Sequence, residues 1–276
     1  MKNNYESERI MKAEKDLCSG YRIKLSDVAY KPTKLIEQYV LDLRDSLLEI
    51  PPAQFVAIVG GNGAGKSSIL RAIAGELRRG VTGQVCVASQ PIERPVNQVI
   101  DGVGIVHQFD ECDLIEHLTV AQNISIRQLL GGGHPSAVFS ASSSWRREIA
   151  ATLGSEADFS TEDINMLVSH LSGGKKQMLS VVIAMHLEHK RNPCRLLLLD
   201  EHTSRLDHTN SKEVMDYTVK QIRTHKMTAL MVTHRYADAI THADRILVVS
   251  GGKIVRDLTK DNPDWSIANI TRMVGE

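Results

Sequence analysis

Residues 54–68 read Gln54-Phe55-Val56-Ala57-Ile58-Val59-Gly60-Gly61-Asn62-Gly63-Ala64-Gly65-Lys66-Ser67-Ser68, and the architecture of the chain follows from them. The second half fits the pattern G-x-x-x-x-G-K-[ST], a loop that binds phosphate. The apolar run before this loop predicts a buried strand, and the apolar residues from Ile69 to Ala74 predict a helix after it. The motif requires this strand–loop–helix context, so we expect a nucleotide site at residues 60–68.

Each residue type in the loop has a physical reason. Glycines let backbone N–H groups approach a phosphate chain closely, where a Cβ would prevent contact. A helix that starts near Gly65 adds free N–H groups and the positive end of its dipole. We expect Lys66 to reach the β- and γ-phosphates and the Ser67 hydroxyl to bind Mg²⁺. The alternative is a glycine-rich turn without a ligand, and the flanking strand and helix disfavour it.

The composition is that of a globular protein without bulk electrostatic signals. Hydrophobic residues make up 42% of the 276 positions, enough for a large core. Lys plus Arg and Asp plus Glu both number 33, so the net charge gives no reason to expect a nucleic-acid partner. No apolar run approaches the ~20 residues that cross a bilayer, and the polar N-terminus resembles no signal peptide. The four cysteines lack C-x-x-C spacing and predict reduced thiols. Since no apolar run is long enough to cross a bilayer, we expect any link to a membrane to run through a partner.

Strand and helix patterns alternate after the phosphate loop. Residues 195–200, 228–232 and 246–249 predict strands, with helices between them, and Gly251-Gly252 predicts a hairpin turn before a strand at 253–255. This alternation favours a mainly parallel sheet covered on both faces. The region 115–169 has a different, helical composition and predicts a helical insertion.

Two carboxylates follow the most apolar of these strands. Asp200 ends the run Leu196–Leu199, and Glu201 comes next. A carboxylate at the end of a buried strand near a phosphate loop holds the metal, usually through water. The second carboxylate can polarise a water for attack on the γ-phosphate. The alternative is a plain strand end followed by a solvated turn, and the phosphate loop disfavours it.

A second glycine-rich segment reads Leu171-Ser172-Gly173-Gly174-Lys175-Lys176-Gln177 and precedes a predicted helix at Met178–Leu187. Glycines and a hydroxyl again stand at a helix N-terminus, which is a second candidate anion site. Two phosphate-binding helix ends far apart in one chain are explained if the second end serves the nucleotide of another protomer.

These motifs together resemble the ATP-binding subunits of ABC transporters over about residues 21–258. Gln108 resembles the Q-loop glutamine, and Leu171–Gly174 resembles the signature. Asp200 and Glu201 resemble the Walker B pair, Ser204–Asp207 the D-loop, and Thr233-His234 the switch histidine. The motifs occur in the family's order.

The resemblance implies an α/β fold: a P-loop NTPase core with a mainly parallel sheet, an antiparallel β subdomain and a helical signature-motif subdomain. The implied boundaries are an N-terminal tail at 1–20, the ATPase domain at 21–258 and a C-terminal extension at 259–276. The helical subdomain is implied at about 115–190. The implied setting is cytoplasmic, on the inner face of the cell membrane.

The resemblance also implies roles for single residues. Two protomers, as a homodimer or a paralogue heterodimer, would hold two ATP molecules, with Ser172, Gly173 and Gly174 reaching across the interface. Glu201 would act as general base, His234 would hold the γ-phosphate, and Lys66 would contact it. Implied Mg²⁺ ligands are Ser67, Gln108 and Asp200. Gln108 would also contact the attacking water and couple to transmembrane permease subunits, with a solute-binding protein in an uptake system.

Three residues depart from the family pattern. Lys175 replaces the usual Gln of the signature, and we expect function to survive this change. Arg205 replaces a small D-loop residue at a tight interface. Pro32 replaces the aromatic residue that stacks on adenine, so Tyr30 is the substitute candidate; the alternative is a surface tyrosine at a strand edge.

Two other functions remain open from sequence. One is a soluble ABC-type ATPase that remodels a cytosolic complex. The other is a nucleotide-gated subunit with little activity, which the three departures favour and the intact catalytic motifs disfavour. The run Asp200-Glu201-His202-Thr203 also resembles a bacterial branch that takes up small solutes such as aromatic amino acids.

Overall fold

The computed structural model describes residues 20–33, 38–77, 79–92, 100–107, 114–130, 143–157, 159–187 and 193–275. Ten strands lie within these ranges: β1 Ile23–Tyr30, β2 Leu41–Ile50, β3 Phe55–Gly60, β4 Val81–Val87, β5 Gln90–Pro91, β6 Val103–Val106, β7 Leu196–Asp200, β8 Thr228–Val232, β9 Arg245–Ser250 and β10 Lys253–Thr259. The helices described are α1 Lys66–Ile73, α2 Val120–Leu130, α3 Ser143–Ala157, α4 Gly173–Val182, α5 His208–Thr224, α6 Tyr236–His242 and α7 Ile267–Gly275. None of the described helices has the length and apolar character needed to cross a bilayer.

The main sheet has six strands in the order β10-β9-β3-β8-β7-β6. All neighbouring pairs are parallel except β9 and β10, which form the antiparallel hairpin that the sequence predicts. Strands β3, β7 and β8 are buried along their whole length, as their continuous apolar sequences indicate. The parallel order brings the carboxyl ends of β3, β6, β7 and β8 to one edge of the sheet.

Alternate residues of β3 face two separate cores. Val56 and Ile58 pack into a cluster with α1 and the antiparallel strands. Phe55, Ala57 and Val59 pack into a second cluster, which includes residues of α2–α7. The central strand is therefore covered on both faces, as the sequence predicts.

A second sheet has the order β2-β1-β4-β5 and is antiparallel. Strand β2 is longer than the predicted segment Leu47–Ile50. The charged residues Asp42, Arg44 and Asp45 obscure its strand pattern in the sequence, but this part of β2 still pairs with β1 beyond an irregularity at Asp27. The α/β class with an antiparallel subdomain is confirmed.

The helical region contains α2, α3 and α4. Helix α4 begins at Gly173, five residues before the predicted start at Met178, because Ser172 caps it by accepting a hydrogen bond from the backbone N–H of Lys175 at 3.2 Å. After Val182 the helix continues as a π-helical segment, Ile183–Leu187. The C-terminal helix α7 packs against α6 and β9.

Candidate active site

The phosphate loop lies between β3 and α1 at the carboxyl edge of the main sheet. Its backbone takes left-handed φ values at Gly63 (72°) and Gly65 (100°). A Cβ on Gly65 would lie 2.5 Å from the Val40 carbonyl oxygen, so glycine is required there for space as well as for conformation. Helix α1 starts at Lys66, so its free N–H groups face the loop.

The loop is held by the β9–β10 turn of the main sheet, which is itself bonded to the antiparallel sheet. The backbone N–H of Gly252, in the β9–β10 turn, donates to the Ala64 carbonyl oxygen at 2.9 Å. The Gly252 carbonyl oxygen accepts from the Asp42 N–H at 2.7 Å, which ties the same turn to β2. The phosphate loop is thus fixed between the hairpin and the antiparallel sheet.

Lys66 is folded back onto its own loop. Its Nζ donates to the carbonyl oxygens of Gly60 at 3.0 Å and Gly61 at 2.8 Å. Burial lowers the pKa of Lys66 below the usual lysine value, while the charges of Glu201 and Asp200 oppose this shift. A phosphate chain offers this ammonium group stronger, charged acceptors than the two carbonyls.

Two oxygen-bearing side chains suited to Mg²⁺ meet at the carboxyl edge. The Ser67 hydroxyl donates to Asp200 Oδ1 at 3.0 Å, and Asp200 is nearly buried (7% exposed). A hydroxyl and a carboxylate are hard oxygen ligands of the kind that Mg²⁺ prefers, alongside waters and phosphate oxygens. These residues therefore fit the predicted metal.

Glu201 and His234 are adjacent in space. His234 Nε2 lies 2.7 Å from Glu201 Oε1, and the Glu201 side chain is more buried than that of His234. Glu201 has a left-handed φ of 49°, which costs free energy in a non-glycine residue and turns its side chain out of the line of β7. Its backbone N–H donates to the Val232 carbonyl oxygen at 3.0 Å, which fixes this turn to β8. The predicted general base and the predicted switch residue are thus brought together.

The signature segment is packed against the start of α5. A Cβ on Gly174 would lie 2.5 Å from Asn210 Oδ1, whereas a Cβ on Gly173 would have its nearest neighbour, Leu206 Cδ2, at 3.7 Å. Ser172 and Gly173 are exposed. The free N–H groups at this helix start are therefore accessible to a second molecule.

The remaining predicted positions have mixed outcomes. Gln108 lies outside the described residues. Tyr30 ends β1 half-buried against the core of the antiparallel sheet, so its adenine contact stays a prediction. Lys175 turns into its own subdomain, where Nζ donates to Asp163 Oδ2 at 3.0 Å.

Sequence reasoning missed several residues near the site. Tyr39 precedes Val40, whose carbonyl oxygen faces Gly65, and its ring lies 4.2 Å from the Arg44 guanidinium. The signal that could have identified Tyr39 in the sequence is an aromatic side chain shortly before the segment that forms β2. Asn210 and Arg235 pack beside Gly174 and His234 respectively, and nothing in their local sequence indicates these contacts.

The sheet order, the phosphate loop and the helix that follows it define a P-loop nucleotide-binding ATPase cassette. The family described as ABC transporter matches residues 43–204. An aliphatic sulfonates import ATP-binding protein of Pseudomonas syringae pv. tomato is 35% identical over 221 residues, covering 80% of this chain and 72% of the relative. A tyrosine transport ATP-binding protein of Clostridioides difficile is 29% identical over 83% of this chain and 85% of the relative.

Among solved structures, a dimeric ATP-binding cassette in a post-hydrolysis state, bound to ADP and Pi, superposes with a TM-score of 0.68. The two chains are 23% identical, and the match covers 87% of this chain and 99% of that one. At this level of identity the match supports the fold alone. The chain belongs to the ABC transporter family. It is an ATP-hydrolysing, nucleotide-binding motor subunit of such a transporter.

Proposed function

We propose that this chain pairs head to tail with a second copy or a paralogue and encloses two ATP molecules. Each ATP lies between the phosphate loop of one protomer and Ser172, Gly173 and Gly174 of the other. The observation that supports this proposal is the Ser172-capped start of α4, where Ser172 and Gly173 are exposed. Its free N–H groups are thus left to meet the γ-phosphate of a partner's nucleotide.

Hydrolysis follows from charge neutralisation and water positioning. Lys66 moves from its loop carbonyls to the β- and γ-phosphates. Glu201 orients the attacking water and takes up its proton, and His234 donates to the γ-phosphate. Ser67 and Asp200, together with Gln108, would hold Mg²⁺, which neutralises charge on the phosphate oxygens when bound.

Transmembrane permease subunits dock on the helical subdomain in this proposal. Ile115 and Leu167 are exposed large apolar residues, 47% and 37% accessible. They lie on two segments that run side by side, where the Val168 N–H donates to the Leu118 carbonyl oxygen at 3.0 Å. Exposed apolar residues on neighbouring segments suit a protein partner. The subunit then works at the inner face of the cell membrane.

The solute is proposed from the relatives. Their names specify import of aliphatic sulfonates and transport of tyrosine, both small organic solutes. We infer uptake of a small organic solute, delivered to the permease by a solute-binding protein.

The test is a tagged pull-down from detergent-solubilised membranes of the native cell, with Glu201→Gln and ATP to hold the closed dimer. Mass spectrometry identifies the chains that co-purify. A multi-span membrane protein is the expected result and leads directly to the solute. Recovery of soluble proteins alone would overturn the transporter role and favour an ATPase that remodels a cytosolic complex.

Glu213→Gln is the matched control, since Glu213 is an exposed glutamate on α5. It should retain ATP turnover, whereas Glu201→Gln should bind ATP and lose most hydrolysis, by about 10²-fold or more for loss of a general base. Normal turnover in Glu201→Gln would remove Glu201 from this role.

A further inference from the structure

We propose that Arg235 is a positioning residue for His234, and that it acts by fastening the switch loop at residues 233–235 to the first turn of α5. This inference rests on the role proposed above for His234. It assigns a function to a residue that no motif of the chain covers.

Arg235 connects three parts of the molecule. Its Nη1 donates to the Ser211 hydroxyl, on the first turn of α5. Its Nε lies 3.1 Å from Asp238 Oδ2, on the first turn of α6. Its backbone N–H donates to Thr233 Oγ1 at 3.0 Å, within the switch loop itself. The guanidinium thus contacts the first turns of two helices, from the residue that follows His234 in the chain.

The Ser211 side of this contact is buried, whereas the Arg235 side chain is partly exposed. Ser211 is 1% exposed and its backbone N–H donates to the Asp207 carbonyl oxygen at 2.9 Å, so its position is fixed by the start of α5. Leaving a buried hydroxyl without a partner is unfavourable, so Ser211 favours the position of Arg235 in which the two side chains are hydrogen-bonded. Arg235 offers five donors in a rigid plane, and lysine cannot reproduce that geometry.

His234 needs such support because its own side chain is 37% exposed. Among the residues that the structure describes, His234 has a contact at hydrogen-bonding distance with Glu201, which must itself orient water in the proposed mechanism. The backbone position of the switch loop therefore decides where the imidazole points. Misplacing a catalytic group by about 1 Å can cost 10²-fold in rate.

The same turn of α5 also touches the signature. The Asn210 side chain lies against Gly174, and Asp207 accepts hydrogen bonds from the backbone N–H groups of Thr209 and Asn210 at 3.0 Å each. Adjacent residues, Asn210 and Ser211, thus face the signature and the switch loop. Arg235 fixes His234 relative to the surface that closes on the partner's ATP.

The test compares Arg235→Gln, Arg235→Lys and Ser211→Ala with wild type, using steady-state ATP hydrolysis by the purified full chain. We expect Arg235→Gln to lower kcat about tenfold or more while the KM for ATP changes less than about twofold, because the phosphate loop is untouched. Arg235→Lys should recover part of the loss. Arg256→Gln, an exposed arginine on β10, should match wild type.

The decisive arm uses the His234→Ala background. If Arg235 acts through His234, adding Arg235→Gln to His234→Ala lowers kcat by less than about twofold further. A full additional loss, or a change in KM alone, would overturn the inference. If Arg235→Gln has a much lower melting temperature than wild type, Ser211→Ala in the His234→Ala background supplies the same double-mutant comparison. Full activity of His234→Ala itself would instead contradict the role proposed for His234.

Discussion

Ser67 donates a hydrogen bond to Asp200 at 3.0 Å, although the two residues are 133 positions apart in the sequence. Ser67 is the second residue of α1 and Asp200 is the last residue of β7. Strand β8 separates β7 from β3, so this contact spans two strand spacings of the main sheet. It is the structural link between the phosphate loop and the Walker B strand.

The contact predicts how Asp200 supports nucleotide binding. In Asp200→Asn the side chain still accepts from Ser67 but loses its charge. We expect ATP affinity measured in EDTA to stay close to wild type and the gain in affinity on adding Mg²⁺ to fall by about tenfold, or ~1.4 kcal/mol. Binding of a fluorescent ATP analogue with and without Mg²⁺ measures both.

Asp216→Asn, at an exposed position on α5, controls for the loss of one carboxylate. It should keep the full Mg²⁺ response. An Asp200→Asn variant with a normal Mg²⁺ response would show that the metal is held elsewhere.

The two signature glycines should respond differently to alanine. The Cβ of Gly174→Ala would meet Asn210 Oδ1 at 2.5 Å and Asn210 Cγ at 2.8 Å, whereas that of Gly173→Ala has only ordinary contact at 3.7 Å. We expect Gly174→Ala to lower the free energy of unfolding by about 1–3 kcal/mol, as overpacking does. Gly173→Ala should change it by less than about 1 kcal/mol.

Urea unfolding of the nucleotide-free chain measures both variants. Each serves as the control for the other, since they are neighbours in the same helix turn. Equal effects would mean that Asn210 moves aside at little cost and that the packing of α4 on α5 is loose.

The parts of the fold that sequence predicts are those whose signals are local. The strand at 55–60, its loop and α1 are contiguous, and the apolar run before Asp200 identifies β7 by itself. The predicted strand Leu47–Ile50 is shorter than β2 because the charged residues Asp42, Arg44 and Asp45 hide the strand pattern in the sequence. Pairing with β1 makes this part of the chain a strand.

Contacts between distant segments were beyond local patterns. The pairing of Glu201 with His234 and the position of Asn210 against Gly174 depend on how β7, β8 and α5 pack. The family resemblance implied only that Glu201 and His234 both act at the γ-phosphate, not that the two side chains contact each other. No sequence motif includes Arg235 or Ser211, so their contact is visible only in the structure.

Lys175 illustrates a departure that the structure accounts for. Its ammonium group pairs with Asp163 and lies 5.3 Å from the centre of the Phe159 ring. The lysine side chain is 43% exposed, and such pairs contribute about 0–1 kcal/mol. We expect Lys175→Gln to keep ATP hydrolysis within about threefold of wild type and to lower the melting temperature slightly.

Replacing the other member of this ion pair, in Asp163→Ala, should lower stability more than Lys175→Gln does. Asp163 is 8% exposed and also accepts from the Ser160 N–H at 2.8 Å and the Ser160 hydroxyl at 3.0 Å. These hydrogen bonds, with the Lys175 charge, outweigh burial and hold the pKa of Asp163 below its usual value. Removing the carboxylate should cost about 1–3 kcal/mol of stability. A large loss of ATP hydrolysis in Lys175→Gln at normal stability would contradict the purely structural role of Lys175 and place its side chain at the nucleotide.

His202 should make the chain less stable in mild acid. Its side chain is buried, and Nε2 has no hydrogen-bond partner among the described residues. Burial lowers the pKa of His202 to about 4, against 6.5 for an ordinary histidine. Between these values the unfolded chain binds a proton that the folded chain does not, so stability falls as pH falls from about 6.5 to about 4.

The contribution of His202 at pH 5 is then about 2 kcal/mol of lost stability relative to pH 8. His202→Met fills a similar volume and cannot titrate, so it should flatten the pH dependence by that amount and leave stability at pH 8 nearly unchanged. Urea unfolding of the nucleotide-free chain at pH 8, 6.5 and 5 measures the difference. His170→Gln, at an exposed histidine, controls for the loss of an imidazole ring. If His202→Met follows the wild-type pH profile, His202 is protonated in the folded chain, and its ring must have a charged or polar partner that stabilises the cation.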